Sequence, residues 1–141
     1  MSSRTFYNEI LTDHNLHPAH KHDLCDANHV LEGINPNCGD DIWLKVKMED
    51  GIIEQASFLG DGCAISQASA DMMLDLVIGK TKEEALYLSD IFLRMIQGDA
   101  TEDEVEKLEE AAVLQDVSHM PARVKCAVLG WHTLKEILEN M

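Results

Sequence analysis

Apolar and polar positions alternate most cleanly over Ile42-Trp-Leu-Lys-Val-Lys-Met48. Ile42, Leu44, Val46 and Met48 share one side and Trp43, Lys45 and Lys47 the other, which is the period of a strand with one covered face. Asp50 and Gly51 follow, two residues that tolerate the positive φ of a tight hairpin turn. Ile52 to Leu59 then reads as the returning strand, with a less regular alternation. A weaker signal over residues 27–31 predicts a third strand.

From Ala64 the period changes. Residues 64–78 are apolar nearly all round, which predicts a deeply buried helix, and Gly79 is a natural stop for it. Thr81-Lys-Glu-Glu84 is a capping-box sequence, in which the threonine oxygen accepts an orphan N–H while the glutamate reaches back. The helix it opens turns Ala85, Leu88, Phe92, Met95 and Ile96 inward and ends at Gly98. Thr101-Glu-Asp-Glu104 repeats the capping signal before a short acidic helix to about Leu114. Pro121 suits the first turn of a last helix, whose apolar stripe is Val124, Val128, Trp131, Leu134 and Leu138. A first helix is expected over residues 5–14, with Phe6, Ile10 and Leu11 on one side. Strands followed by a run of helices indicate α+β: a small three-stranded antiparallel sheet packed against about five helices.

The chain has 141 residues, which suits one domain over residues 1–141 and a core that buries roughly 70% of the unfolded surface. No apolar stretch reaches membrane-span length, and the first residues lack a signal-peptide pattern. The expected location is the cytoplasm, where thiols stay reduced. The formal net charge of −15 repels a phosphate backbone and argues against a nucleic-acid partner. Between Asp99 and Glu110 stand seven acids and one base, Lys107. Such a run reads as a solvated helix face or as a docking surface for a basic partner.

The four cysteines, Cys25, Cys38, Cys63 and Cys126, form no Cys-x-x-Cys pair, so a thioredoxin-like site is not supported. Three have unusual settings. Cys38 lies in Asn35-Pro-Asn-Cys-Gly-Asp40, so Cys38 and Asp40 can aim at one point if the backbone is extended. Cys63 follows Gly60-Asp-Gly62 and precedes the apolar helix, where the positive end of the helix dipole favours thiolate over thiol. Cys126 falls in the first turns of the last helix. Three cysteines and an aspartate match the donor set and number that zinc prefers. Dispersed cysteines also serve as buried small hydrophobes, and spacing alone leaves both readings open. His14, His17, His20 and His22, irregularly spaced around Pro18, read as a polar surface segment. His119 and His132 fall within possible reach of the site. Cys25 reads as incidental, and Met72 and Met73 as core filler.

Asn35-Pro-Asn-Cys-Gly-Asp40, Gly60-Asp-Gly-Cys-Ala-Ile-Ser-Gln-Ala-Ser69 and Pro121-Ala-Arg-Val-Lys-Cys-Ala-Val-Leu-Gly-Trp131 resemble the three cysteine blocks of the SufU/IscU family of iron–sulfur cluster assembly proteins. Asp13-His14 followed by Pro18 resembles its N-terminal block. The resemblance runs in order over nearly the whole chain. It is nearer to the SufU branch: Lys125 stands where IscU-type chains have histidine, the Leu-Pro-Pro-Val-Lys motif is absent, and 62 residues separate Cys63 from Cys126. After Pro18 the chain has Ala19-His20 where the family often has Arg-Asn.

The resemblance implies a zinc site at Cys38, Asp40, Cys63 and Cys126. It also implies sulfurtransferase-type chemistry, with sulfur accepted from a pyridoxal-phosphate cysteine desulfurase of SufS type and passed to downstream iron–sulfur assembly machinery. Cys38, beside Gly39, is the expected sulfur acceptor. Arg123, one turn before Cys126, is the expected supporting residue, its guanidinium pairing with Asp40 or a thiolate when the site opens; Lys125 is expected to face solvent. The alternative reading is a scaffold on which a transient iron–sulfur cluster is assembled, since the same thiolates ligate clusters. A third is a binding module with structural zinc.

Overall fold

The computed structural model describes residues 3–36 and 39–141, with side chains from residue 9 onward. Cys38, and the side chain of Phe6, therefore lie outside the described residues. Helix α1 (Ser3–Leu16) leads into strands β1 (His29–Asn35), β2 (Asp40–Glu49) and β3 (Ile52–Asp61). Helices α2 (Ala64–Val77), α3 (Lys82–Ile96) and α4 (Glu102–Glu106), a 3₁₀ segment (Glu109–His119) and helix α5 (Pro121–Glu139) follow. The sheet is antiparallel with order β1-β2-β3. The expected α+β architecture is present.

On β2, Ile42, Leu44 and Val46 are fully buried while Trp43 is 42% exposed, as the alternation predicts. The hairpin turn uses Asp50 and Gly51 at φ of 52° and 78°, the left-handed pair that matches strand twist. β3 alternates poorly because it is bulged. Met48 pairs with Ile53 but Lys47 with Gln55, so Glu54 is an extra residue, and Ile53, Ala56 and Phe58 all reach the buried side. The third strand begins two residues later than expected and runs on to Asn35.

Helix α2 is the central post: eleven of its fourteen residues are buried, against α1, α5 and β3. Its neighbour α5 is aligned by a buried polar relay. Trp131 Nε1–H donates to Ser69 Oγ at 3.0 Å, and Ser69 donates to the Ala127 carbonyl at 2.6 Å. The Trp131 ring stacks on Phe92 of α3 at 4.1 Å between centroids. No helix among the described residues is long and apolar enough to cross a membrane.

Two expectations need correction. At Thr81 the hydroxyl oxygen accepts the Glu84 N–H, but the Glu84 carboxylate takes the Thr81 hydroxyl rather than reaching back to the backbone; the full reciprocal box forms at Thr101 and Glu104 instead. The acidic helix does not run to Leu114. It stops after Glu106, because Glu109 adopts φ 52°, and the chain continues as a 3₁₀ segment that buries Ala111, Leu114 and Val117.

Glu104 also holds Arg94 through two nitrogens, at 2.9 and 2.6 Å. The Arg94 hydrogen bonds, with help from the Thr101 N–H, bring the Glu104 carboxyl down to about 2 from 4.5. A depressed carboxylate contributes stability above its unfolded value and loses it as pH falls toward the folded one. The stability difference between the parent and Glu104→Gln should therefore be constant above about pH 5 and vanish between 4.5 and about 2, read as denaturant midpoints across that range. A difference that stays flat down to pH 2 overturns the pairing.

Candidate metal centre

Three elements deliver one side chain each to a common point. Asp40 opens β2 opposite Asn35 of β1. Cys63 is the N-cap of α2. Cys126 lies in the second turn of α5, and both it and Asp40 are fully buried. A carboxylate oxygen of Asp40 and the sulfurs of Cys63 and Cys126 all lie within 4.8 Å of one another. Segments 23 and 86 residues away from Asp40 thus meet, which is the tertiary assembly that wide cysteine spacing requires.

The local chemistry explains the placement. Cys63 has extended backbone angles (φ −72°, ψ 167°), and its sulfur accepts the Ser66 N–H at 3.4 Å, so a cysteine sulfur serves as helix cap where serine or aspartate usually does. Asp40 Oδ1 accepts the Cys63 N–H at 2.8 Å and the Ser66 hydroxyl at 3.2 Å. Asn35 Nδ2 points at Asp40 Oδ2 and Cys126 Sγ, at 3.5 and 3.9 Å. Two glycines allow this convergence. Gly60 sits at φ 124°, and a Cβ there would lie 1.9 Å from the Asp41 carbonyl oxygen. A Cβ on Gly62 would lie 2.4 Å from Ser66 Oγ and 2.7 Å from Asp40 Oδ1. The Gly-Asp-Gly sequence keeps the cradle open.

The donor set fits a thiophilic ion. Zinc with bonds of about 2.3 Å to sulfur and about 2.1 Å to oxygen separates tetrahedral ligand atoms by about 3.4 to 3.8 Å, compatible with atoms that all lie within 4.8 Å of one another. Three candidate ligands would leave one tetrahedral position, and Cys38 is two residues from Asp40 in the chain. Gln67, one turn after Cys63, was not singled out by sequence. Both of its amide atoms are buried with no hydrogen-bond partner among the described residues, and Nε2 borders the Gly62 cradle. Such an orphan costs about 1–3 kcal/mol, and a ligand in the cradle would offer it a partner. For Gln67 the sequence signals are its place in the Gly60–Ser69 block and its i+4 offset from Cys63, which sets both on one helix face.

The other sequence candidates fall differently. Arg123 is exposed and makes no ion pair with Asp40 among the described residues. Lys125 is exposed, as expected, and so are Cys25, His119 and His132, none of which joins the centre. Met72 and Met73 are core residues. The histidine segment departs from expectation: His14 is only 6% exposed, bonded to Asp71 and Glu110, and so is not part of a polar surface stretch.

A family model for the NifU-like N-terminal domain matches residues 6–140. Among curated proteins, the chain is 45% identical over 134 residues to the iron-sulfur cluster assembly scaffold protein IscU of Streptococcus pyogenes serotype M1, covering 95% of this chain and 83% of that protein. It is 43% identical over 132 residues to the zinc-dependent sulfurtransferase SufU of Bacillus subtilis (strain 168), covering 94% and 88%. Among solved structures, a candidate iron-sulfur cluster assembly scaffold protein for the SUF system from Fervidobacterium islandicum AW-1 superposes with a TM-score of 0.88 at 35% identity, covering 97% of this chain and 99% of that one.

Proposed function

Because the chain belongs to the family of NifU-like N-terminal domains, we propose that it is a zinc-dependent sulfur acceptor that takes persulfide sulfur from a cysteine desulfurase for iron–sulfur cluster biogenesis. The observation that carries the reading is the convergence of Asp40, Cys63 and Cys126 from three elements onto one point. With Cys38 as fourth ligand, these residues would hold the ion. Bound zinc supplies charge that keeps thiolates deprotonated at neutral pH, and no redox chemistry of its own.

Cys38 is the assigned acceptor. Its neighbour Gly39 sits at φ 71°, a backbone state open to glycine at little cost. The Cys38 thiolate attacks the outer sulfur of the desulfurase persulfide. A sulfur–sulfur bond forms on Cys38 as the one on the desulfurase breaks, and the desulfurase cysteine leaves as thiolate. The exchange is redox-neutral and needs no further reactant. Asp40 and Cys63 stay anchored through the Cys63 N–H bond. Arg123, one turn before Cys126, is assigned the supporting role of pairing with Asp40 or a thiolate once Cys38 is loaded. Beside Cys63, Leu11, Leu16, Ala64, Ile65 and Met120 line a shallow apolar cavity of about 390 Å³, which suits a protein partner bringing its persulfide to this edge.

The test mixes the full-length protein with a pyridoxal-phosphate desulfurase, cysteine and reductant. Zinc-loaded protein should accelerate alanine formation and gain one sulfur by mass spectrometry. Cys38→Ala should lose both, with the desulfurase falling to its unassisted rate. An unchanged rate and adduct with Cys38→Ala overturns the assignment. A second reading, the cluster scaffold, is favoured by the names of the Streptococcus and Fervidobacterium relatives, and the same thiolates suit it. A brown, anaerobically purified protein supports it; a colourless one with about one zinc per chain supports sulfur transfer.

A further inference from the structure

We infer that a second, sulfur-free cation site joins α1 to the body of the protein, built from His14, Asp75 and Glu110 with His20 and Asp71 behind them, and that it takes a divalent first-row transition ion. A ring nitrogen of His14, a carboxylate oxygen of Asp75 and one of Glu110 lie within 4.8 Å of one another, and Nε2 is the nitrogen that faces Glu110. They come from α1, α2 and the 3₁₀ segment. Asp75 lies twelve residues beyond Cys63 on α2, about 18 Å along the axis, so this site is distinct from the thiolate centre.

The bonding around His14 has the form expected of a ligating imidazole. Asp71 is 1% exposed, and its Oδ2 lies 2.7 Å from His14 Nδ1. A buried carboxylate there accepts the Nδ1–H, which turns the Nε2 lone pair outward; carboxylate partners of this kind orient metal-bound histidines. Asp71 is itself fixed, its Oδ1 accepting the His20 N–H at 2.9 Å. Nε2 then meets a second carboxylate, Glu110 Oε1, at 2.9 Å. With both nitrogens protonated, His14 donates to both carboxylates, and a divalent ion would take the place of the Nε2 proton. His20 Nε2 donates to Asp75 Oδ1 at 2.6 Å.

A second proton on His14 offsets one negative charge, and the cluster holds more. Asp71, Asp75 and Glu110 bring three negative charges against two imidazoles, and Glu109 adds a fourth at the rim of the adjoining cavity. That cavity holds about 290 Å³ between Asp75, Leu76, Leu108 and Glu110, room for an ion with its waters. Metal bonds of about 2.1 Å to nitrogen and oxygen place neighbouring ligand atoms about 3 Å apart, close to the His14–Glu110 spacing. Imidazole and carboxylate without sulfur suit ions such as Mn²⁺ or Fe²⁺. Glu109, at φ 52°, carries the backbone turn that sets Glu110 beside His14.

Mn²⁺ is the probe, since it is a poor partner for thiolates and avoids the first centre. The full-length protein, with its own metal content, is titrated with Mn²⁺ at neutral pH, and unbound Mn²⁺ is counted by electron paramagnetic resonance. One saturable equivalent is expected, with paramagnetic broadening of the His14 and His20 ring signals. Asp75→Asn and Glu110→Gln, whose side chains are about half exposed and whose replacement leaves the core intact, should each weaken binding by about tenfold or more. Glu102→Gln, an exposed acid outside the cluster, should leave it unchanged. Absence of a saturable equivalent up to on the order of 1 mM, or equal binding by the parent and both cluster variants, overturns the site.

Discussion

Asp40→Ala should abolish zinc binding at the proposed centre and lower the stability of the zinc-loaded protein by about 3 kcal/mol or more. Asp40 is fully buried and does two jobs at once. Its Oδ1 satisfies the Cys63 N–H at 2.8 Å, and its Oδ2 faces Asn35 Nδ2 at 3.5 Å. Alanine leaves both donors without that acceptor, at about 1–3 kcal/mol for each buried group. It also removes one of the ligand atoms. For a chain of this size the loss corresponds to a melting temperature roughly 10 °C lower. Without metal the deficit should be smaller, because the carboxylate then sits beside two thiol groups with no cation to offset its charge. Asp40→Asn separates the two jobs. Its amide oxygen can still accept the Cys63 N–H while its NH2 meets the Asn35 NH2, so stability should recover in part whereas zinc affinity should not, the amide being a far poorer zinc ligand than a carboxylate. Metal content and thermal melting, each with and without a chelator, read the result. Full zinc occupancy in Asp40→Ala would remove the aspartate from the centre.

The sheet and the long helices were legible because their signals are local. Ile42, Leu44 and Val46 announce a covered face within seven residues, and Pro121 announces the start of α5. The features that depart from expectation share a cause: each depends on a partner far along the chain or on one backbone angle. β3 looked irregular because Glu54 is a bulge residue, which only its pairing with β2 reveals. His14 read as surface because its neighbours are polar, yet Asp71, 57 residues away, draws it inside. The acidic run looked like one helix until Glu109 turned to φ 52°. At the candidate metal centre, motifs mark Asp40, Cys63 and Cys126, and the structure brings the three together. Gln67 was missed because a glutamine on an apolar helix carries no mark of its own; its unpartnered amide makes it visible.

Trp131→Ala should cost about 3–5 kcal/mol and loosen the metal centre from a distance. The indole is fully buried, stacks on Phe92 at 4.1 Å and donates to Ser69, which donates onward to the carbonyl of Ala127. Ala127 is the residue after Cys126. The relay therefore fixes α5 against α2 at the level where α5 presents one ligand, while α2 presents Cys63 a turn and a half before Ser69. Removing the indole leaves a cavity between α3 and α5 and lets Ser69 rotate, so Cys126 loses its fixed distance from Cys63. Gly130, where a Cβ would lie 3.4 Å from Ala70, keeps the two helices close enough for that distance to matter. Trp131→Phe is the informative companion. It keeps the stack and most of the volume but drops the N–H, and should cost about 1 kcal/mol, with zinc retained. The expected order in both melting temperature and zinc affinity is parent, Trp131→Phe, Trp131→Ala. If Trp131→Ala melts lower yet binds zinc as tightly as the parent, α5 is held at Cys126 by the metal itself, and the relay serves the core alone.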